Sequence, residues 1–283
     1  MVSCFRYLWA AGLLVVPFLA LAQTAQAGAA VSRQEASTLV RRASHGAASL
    51  VRVFSGVHGL TGAIIRGSNN NENIAWITPD GKAIVVEGTL VGLHGEDLTR
   101  SAMYQQGLME TPSTGIAQAE SGSDGILVGT RGPILTVFFD PNCIFCHILH
   151  KALAKPIADG KVRVRYVIVA ILKPSSLGRA VSILGANDPA RALQIDEAKF
   201  NGATEEGGYT KDDRSIPAAR RAALTDIVKA NNALMARLGG TGTPTLLFCD
   251  AKTASVQMNV GLPAHVNSFV SALGASPALA CSK

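Results

Sequence analysis

Phe138-Phe139-Asp140-Pro141-Asn142-Cys143-Ile144-Phe145-Cys146-His147 is the stretch that decides how this chain folds. An apolar strand runs into two cysteines at C-x-x-C spacing, placed where a helix begins. About a hundred residues later Gly242-Thr243-Pro244-Thr245-Leu246-Leu247-Phe248 opens a second apolar strand with a Thr-Pro step. Neither segment decides anything alone. Together they predict a dithiol at a helix N-terminus with a proline turn packed beside it.

A helix start leaves N–H groups unpaired and carries about half a positive charge. A cysteine there has its thiolate stabilised, with a pKa of about 3.5–7.5 instead of about 8.5. Cys143 is therefore the expected nucleophile, and Cys146, almost one turn on and beneath it, the resolving thiol. Thr243 and Pro244 are expected to meet an extended substrate segment, with a cis bond before Pro244 turning the Thr243 backbone toward the sulfurs. Asp140 and Phe145 support the pair. Asp140 either caps the turn into the helix or modulates the thiolate, whereas His147 and His150 read as helix-surface residues.

Other chemistries fit parts of the pattern. The cysteines could form an inert structural disulfide, or half a zinc site, although no second C-x-x-C or His pair completes four ligands. Cys143-Ile144-Phe145-Cys146-His147 also matches C-x-x-C-H, the attachment run of c-type haem. That reading leaves the Thr-Pro strand unexplained, so no cofactor and no metal are expected.

The start of the chain bears on compartment. Arg6 precedes an apolar run from Leu8 to Leu21, and Ala25-Gln26-Ala27 is an A-x-A site, so residues 1–27 read as a signal peptide cleaved near Ala27. Export to a bacterial periplasm, where disulfides persist, is the expectation. Cys4 leaves with that segment, and Cys143, Cys146, Cys249 and Cys281 stay. An even count and a C-terminal tail favour a structural disulfide between Cys249 and Cys281. The formal charge of +6 becomes +5 once Arg6 is removed, and the basic residues are scattered, so nucleic-acid binding is not expected.

Residues 28–91 read as a small α+β domain. Ser32-Arg33-Gln34-Glu35 is a capping box opening a helix to Ala43. Strand-like stretches follow at Leu50–Phe54, Leu60–Ile65, Ile74–Thr78 and Ala83–Val91. So thin a core is marginal alone, and a second copy is its economical partner. Residues 92–125 read as a helical linker, with a helix from Glu96 to Leu108 and a polar stretch after it. Residues 126–283 alternate strand and helix: Ile134–Phe139, a helix from Cys143 to Ala158, Val162–Ile171, a helical block to Leu238, strands Thr245–Phe248 and Ser255–Val260, and a closing helix. This order resembles an α/β thioredoxin-like domain with a helical insertion.

Several segments carry a more specific resemblance. They are Ile77-Thr78-Pro79-Asp80-Gly81-Lys82, Phe139 to Cys146, Ile171-Leu172-Lys173-Pro174, Asn187-Asp188-Pro189-Ala190, Gly242-Thr243-Pro244 and Val260-Gly261-Leu262-Pro263. In this order they resemble the DsbC/DsbG family of periplasmic thiol:disulfide interchange proteins, its DsbG branch more closely. The resemblance implies a homodimer joined through cystatin-like N-terminal domains, with dithiols facing a cleft. It implies isomerisation of wrong disulfides or reduction of oxidised cysteines in misfolded or oxidised secreted proteins, with a membrane thiol reductant of DsbD type. A chaperone-like holdase with secondary redox activity is the alternative. Ile144 stands where DsbG-like proteins commonly carry proline, and the Cys249 and Cys281 pair is foreign to their pattern.

Overall fold

The computed structural model describes residues 31–121, 125–209, 215–274 and 281. The expected signal segment, with Cys4 and its cleavage site, lies outside the described residues. The chain divides into two compact units, Met1–Gly88 and Thr89–Lys283. Among the described residues, no helix is long and apolar enough to cross a membrane.

In the first unit, α1 (Arg33–Ala43) starts at Ser32, whose hydroxyl accepts from Glu35 N (3.3 Å) while Ser32 N donates back to Glu35 (2.9 Å). Four antiparallel strands follow in spatial order: β1 (Ala48–Ser55), β2 (Thr61–Gly67), β3 (Glu72–Ile77) and β4 (Ile84–Val85). The core is small, with Val31, Ala36, Val40, Ala63, Ile65, Ala75 and Ile77. The Phe54 ring lies over Gly62, where a Cβ would collide with it, and meets Trp76 edge-on at 5.9 Å. The last strand is shorter than the expected Ala83–Val91. Only Ile84 and Val85 pair with β3, and the left-handed Glu87 (φ 56°) turns the chain away.

The second unit begins with α2 (Leu98–Gln105), capped by Asp97 through Arg100 N at 2.8 Å, and α3 (Pro112–Ser121). Its sheet runs β5 (Ile126–Val128), β7 (Arg163–Ile168), β6 (Ile134–Phe139), β8 (Thr245–Asp250), β9 (Ser255–Val260). β6 pairs parallel with β7 and antiparallel with β8, so the strand leading to the dithiol is central and buried on both faces. Its side chains alternate. Leu135, Val137 and Phe139 enter one layer with Leu149, Leu153, Tyr166 and Ile168, while Phe138 enters the other with Ile116, Leu234, Met235, Leu238 and Leu247. The first layer is closed by α4 (Ile144–Ala158), α5 (Ser176–Leu184) and α6 (Pro189–Ala198). The long α7 (Ala218–Arg237) supplies residues to both layers, and α8 (Val266–Ser271) packs on the first.

Two sequence expectations shift here. Residues 112–121, read as polar linker, form α3 and bury Ile116 and Ala119 against the sheet. Arg237 fastens α3 through Glu110 (2.6 Å) and Gln118 (3.1 Å). The strand expected to reach Ile171 stops at Ile168, because side chains claim its backbone. Asn231 donates to Ile168 O (2.9 Å), and Asn232 both accepts from Ala170 N (2.9 Å) and donates to Ala170 O (3.0 Å).

Cys249, at the end of β8, is joined to Cys281 with Cα atoms 5.6 Å apart. Replacing both by serine is expected to lower stability by about 3–4 kcal/mol on the chain-entropy account of a loop this long, read from denaturant midpoints at fixed redox state. Gly115 tests the docking of α3. A Cβ there would meet Leu238 at 2.7 Å and Leu247 at 2.9 Å. Gly115→Ala should destabilise by about 1–3 kcal/mol through overpacking, whereas a solvated helix would gain about 1 kcal/mol.

Candidate active site

β6 ends at Phe139 and α4 starts within five residues, so the turn 140–143 carries the site. Cys143 is itself the N-cap of α4: its Sγ accepts from Cys146 N at 3.3 Å. Across the turn, the thiol of Cys143 donates to the Thr243 carbonyl at 3.3 Å. The Thr243–Pro244 bond is cis. It is anchored where β8 begins, with Gly261 N donating to Pro244 O at 2.7 Å and the Thr245 hydroxyl donating to Gly242 O at 2.6 Å. The structure thus brings Cys143, Cys146, Thr243 and Pro244 together from positions a hundred residues apart.

Both thiols are free, and the two sulfurs differ electrostatically. Hydrogen bonding from the Cys146 thiol, helped by the N–H groups of Cys146 and Phe145, outweighs burial and lowers the Cys143 pKa to about 7. Cys146 is fully buried, and burial, then the neighbouring Cys143, pushes its thiol well above the ordinary value. One sulfur is about half thiolate at neutral pH and the other holds its proton. This is the asymmetry that thiol–disulfide exchange requires.

Asp140 caps the turn into α4, through Asn142 N, while the N-cap of the helix itself is Cys143. The Asp140 carboxylate, with no exposure, accepts from Asn142 N (2.9 Å), the Ser176 hydroxyl (2.8 Å), Ile171 N (2.8 Å) and Leu172 N (3.0 Å). Cys143 takes the cap position because its own sulfur reaches the orphan N–H of the first turn. Asn142, buried like Asp140, donates to Ser175 (3.0 Å) and Ser176 (3.1 Å) and accepts from Gly207 N (3.2 Å). The glycine-rich loop after α6 therefore belongs to the frame of the site. Phe145 lends its N–H to the thiolate while its ring stands 55% exposed. Ile148, Ile171 and Leu172 are also exposed apolar residues.

The two histidines are not the surface residues the sequence suggested. His147 Nδ1 pairs with Glu197 at 2.7 Å and its ring stacks on Phe200 at 4.4 Å. His150 is pushed down to about 4, by burial first, and lies 5.7 Å from Tyr166. The helical insertion covers this side of α4, which its helical periodicity could not reveal. Asn142, Ser176 and Glu197 were likewise not singled out from sequence, since nothing local marks them. The C-x-x-C-H run does not fit haem attachment, because Cys146 is enclosed and His147 is engaged by Glu197 and Phe200. Among the described residues no group of His, Cys, Asp and Glu could hold a metal ion.

A buried central strand, a dithiol capping the next helix and a cis-proline facing it define the thioredoxin-like class. A family model described as a thioredoxin-like domain matches residues 126–273, and the chain belongs to that family. The match to curated proteins is narrower. Over 243 residues the chain is 28% identical to the thiol:disulfide interchange protein DsbG of Pseudomonas aeruginosa, covering 84% of this chain and 88% of that protein. Over 217 residues it is 27% identical to DsbG of Escherichia coli, covering 76% and 82%. The protein is a DsbG-like thiol–disulfide oxidoreductase. Among solved structures, Proteus mirabilis ScsC in a compact conformation is 19% identical, with a TM-score of 0.42, covering 60% of this chain and 81% of that one.

Two outcomes check this geometry. Alkylation of Cys143 should rise with pH around a midpoint of about 7, while Cys146 stays unlabelled in the folded protein, both read by mass spectrometry. Asp140→Ala removes the acceptor of four donors, two of them buried, and should cost about 3 kcal/mol or more, measured by denaturant unfolding.

Proposed function

We propose that the protein acts in the periplasm as a homodimeric disulfide isomerase or reductase, with Cys143 as nucleophile, Cys146 as resolving thiol, and Thr243 and Pro244 as the substrate platform. The asymmetry of the two thiols carries this reading. The Cys143 thiolate attacks a sulfur of a client disulfide, that S–S bond breaks, and the departing thiolate takes the electron pair. Cys146 then attacks Cys143 and releases the client in reduced form, or the client's own thiol does so and isomerises the bond. The cis-proline brings the Thr243 carbonyl within 3.3 Å of Cys143. Proline offers no N–H of its own there, so the neighbouring backbone is left to pair with an extended client segment. The apolar side chains of Phe145, Ile148, Ile171 and Leu172 suit unfolded clients, whose hydrophobic residues are still exposed.

Isomerase and reductase roles both need the dithiol reduced at rest, for which a membrane reductant of DsbD type is the partner we assign. The homodimer is assigned to residues 28–91, from the thin core of that unit and its short last strand with Val85 and Val86 exposed. The relatives named as thiol:disulfide interchange proteins support the interchange chemistry.

Cys143→Ser should abolish refolding of a scrambled disulfide substrate, and Cys146→Ser should trap client mixed disulfides. A holdase would keep its aggregation-suppressing activity in the double serine variant and show no loss of function. Light scattering on the chain from residue 28 onward is expected to give a dimer. A monomer would remove the assigned assembly, and a mostly oxidised Cys143–Cys146 pair, trapped in intact cells, would point to an oxidase.

A further inference from the structure

Thiol exchange by two cysteines does not account for the acid group behind them. α6 presents Glu197, only 4% exposed, with Oε2 on His147 Nδ1 at 2.7 Å and Oε1 without a protein partner. His147 directly follows Cys146 on α4. Two more buried polar atoms without protein partners stand nearby, Tyr166 Oη and His150 Nδ1, and both rings pack on Phe139 at the end of β6 (5.3 and 6.4 Å). Tyr166 lies in the field of both Cys146 and Glu197. A carboxyl half-satisfied in the interior is destabilising, and a glutamine would hold His147 as well. An acid at this place needs a use.

We propose that Glu197 is the proton partner of the dithiol, protonated while Cys143 is a thiolate, ionised through His147 once Cys143 enters a disulfide, and then acceptor of the Cys146 proton. The proposal rests on the exchange roles assigned above to Cys143 and Cys146. The steps balance. The Cys143 thiolate forms a bond to the client sulfur, and the first client thiolate leaves with the electron pair of the broken S–S bond. Glu197 donates its O–H to His147 Nδ1, and the proton passes outward to that thiolate. The Glu197 carboxylate then takes the proton of Cys146, whose sulfur attacks Cys143 and expels the second client thiolate. In sum, thiolate, thiol and client disulfide become protein disulfide, one client thiol and one client thiolate, with Glu197 protonated again.

The surroundings support a proton held in the reduced state. Burial first, then the charges of Asp196 and Cys143, push Glu197 up to about 9. Discharge of Cys143 removes one of these causes, which is the coupling the proposal needs. The groups facing this region are Asp196 on the same helix, His147, His150 and Lys151 on α4, Tyr166 on β7, Asp140 in the turn, and the two cysteines. Arg179 of α5 is engaged with Asp196 (4.0 Å) and Glu206 (3.7 Å).

The test uses the reduced full chain from residue 28, mixed with a peptide disulfide and quenched in acid, with the Cys143–peptide species counted by mass spectrometry. Glu197→Gln should form that species within about twofold of the unaltered rate and resolve it about 10- to 100-fold more slowly, in the range of a lost proton-transfer group. Resolution at the unaltered rate in a folded variant overturns the proposal. If Glu197→Gln does not fold, infrared spectra of protein carrying isotope-labelled glutamate decide. The carboxylic-acid band of a buried glutamate should persist toward pH 9 in the reduced protein and disappear at lower pH when Cys143 is held in a mixed disulfide by Cys146→Ser. An unchanged midpoint, or no such band, overturns it. Cys143→Ser separates the two layers: peptide exchange that survives it defeats the dithiol assignment and not the infrared prediction.

Discussion

A carboxylate enclosed in a protein is tolerable only if fixed donors replace the water it has lost. Asp140 has four, drawn from three places in the chain: the turn at Asn142, the segment after β7 at Ile171 and Leu172, and the start of α5 at Ser176. None of those segments could shift without stranding charge or donors, so the turn that carries Cys143 is pinned from below. Its backbone also serves the turn, since Asp140 O accepts from Cys143 N at 3.0 Å. The reactive sulfur depends on this frame rather than on its own contacts.

On that frame, local electrostatics divide the labour between two chemically identical side chains. Cys143 sits where α4 offers unpaired N–H groups and serves as the cap itself. Cys146, one turn deeper, is fully buried, and there burial and its partner outweigh the hydrogen bonds it has with Asp140 and Thr243. Burial raises both thiols, and hydrogen bonds reverse the outcome for one of them. The competition is decided by where the helix starts, which Asp140 and Asn142 determine.

Much of this was legible in the chain before any coordinates. β6 occupies the expected Ile134–Phe139, and the dithiol meets the Thr-Pro turn as its sequence context required, because both rest on strong local signals. The losses have physical causes. Residues 112–121 are small and polar, and helices built from such residues pack closely instead of showing an apolar stripe. β5 is three residues long and exists only through its pairing with β7. The end of β7 is set by Asn231 and Asn232 from α7, some sixty residues away. Ser176, Glu197 and Gly207 become part of the site through tertiary contacts that no periodicity encodes.

The support of the dithiol turn comes from residues before it and from distant loops, while Ile144 and Phe145 contribute backbone rather than anchoring side chains. Phe145 points outward, and the contacts that fix the turn bypass both side chains. The intervening dipeptide is thus separable from the scaffold. Changes there can retune redox potential or client preference with the reactive geometry held constant, giving this fold a two-residue dial that turns independently of its foundation.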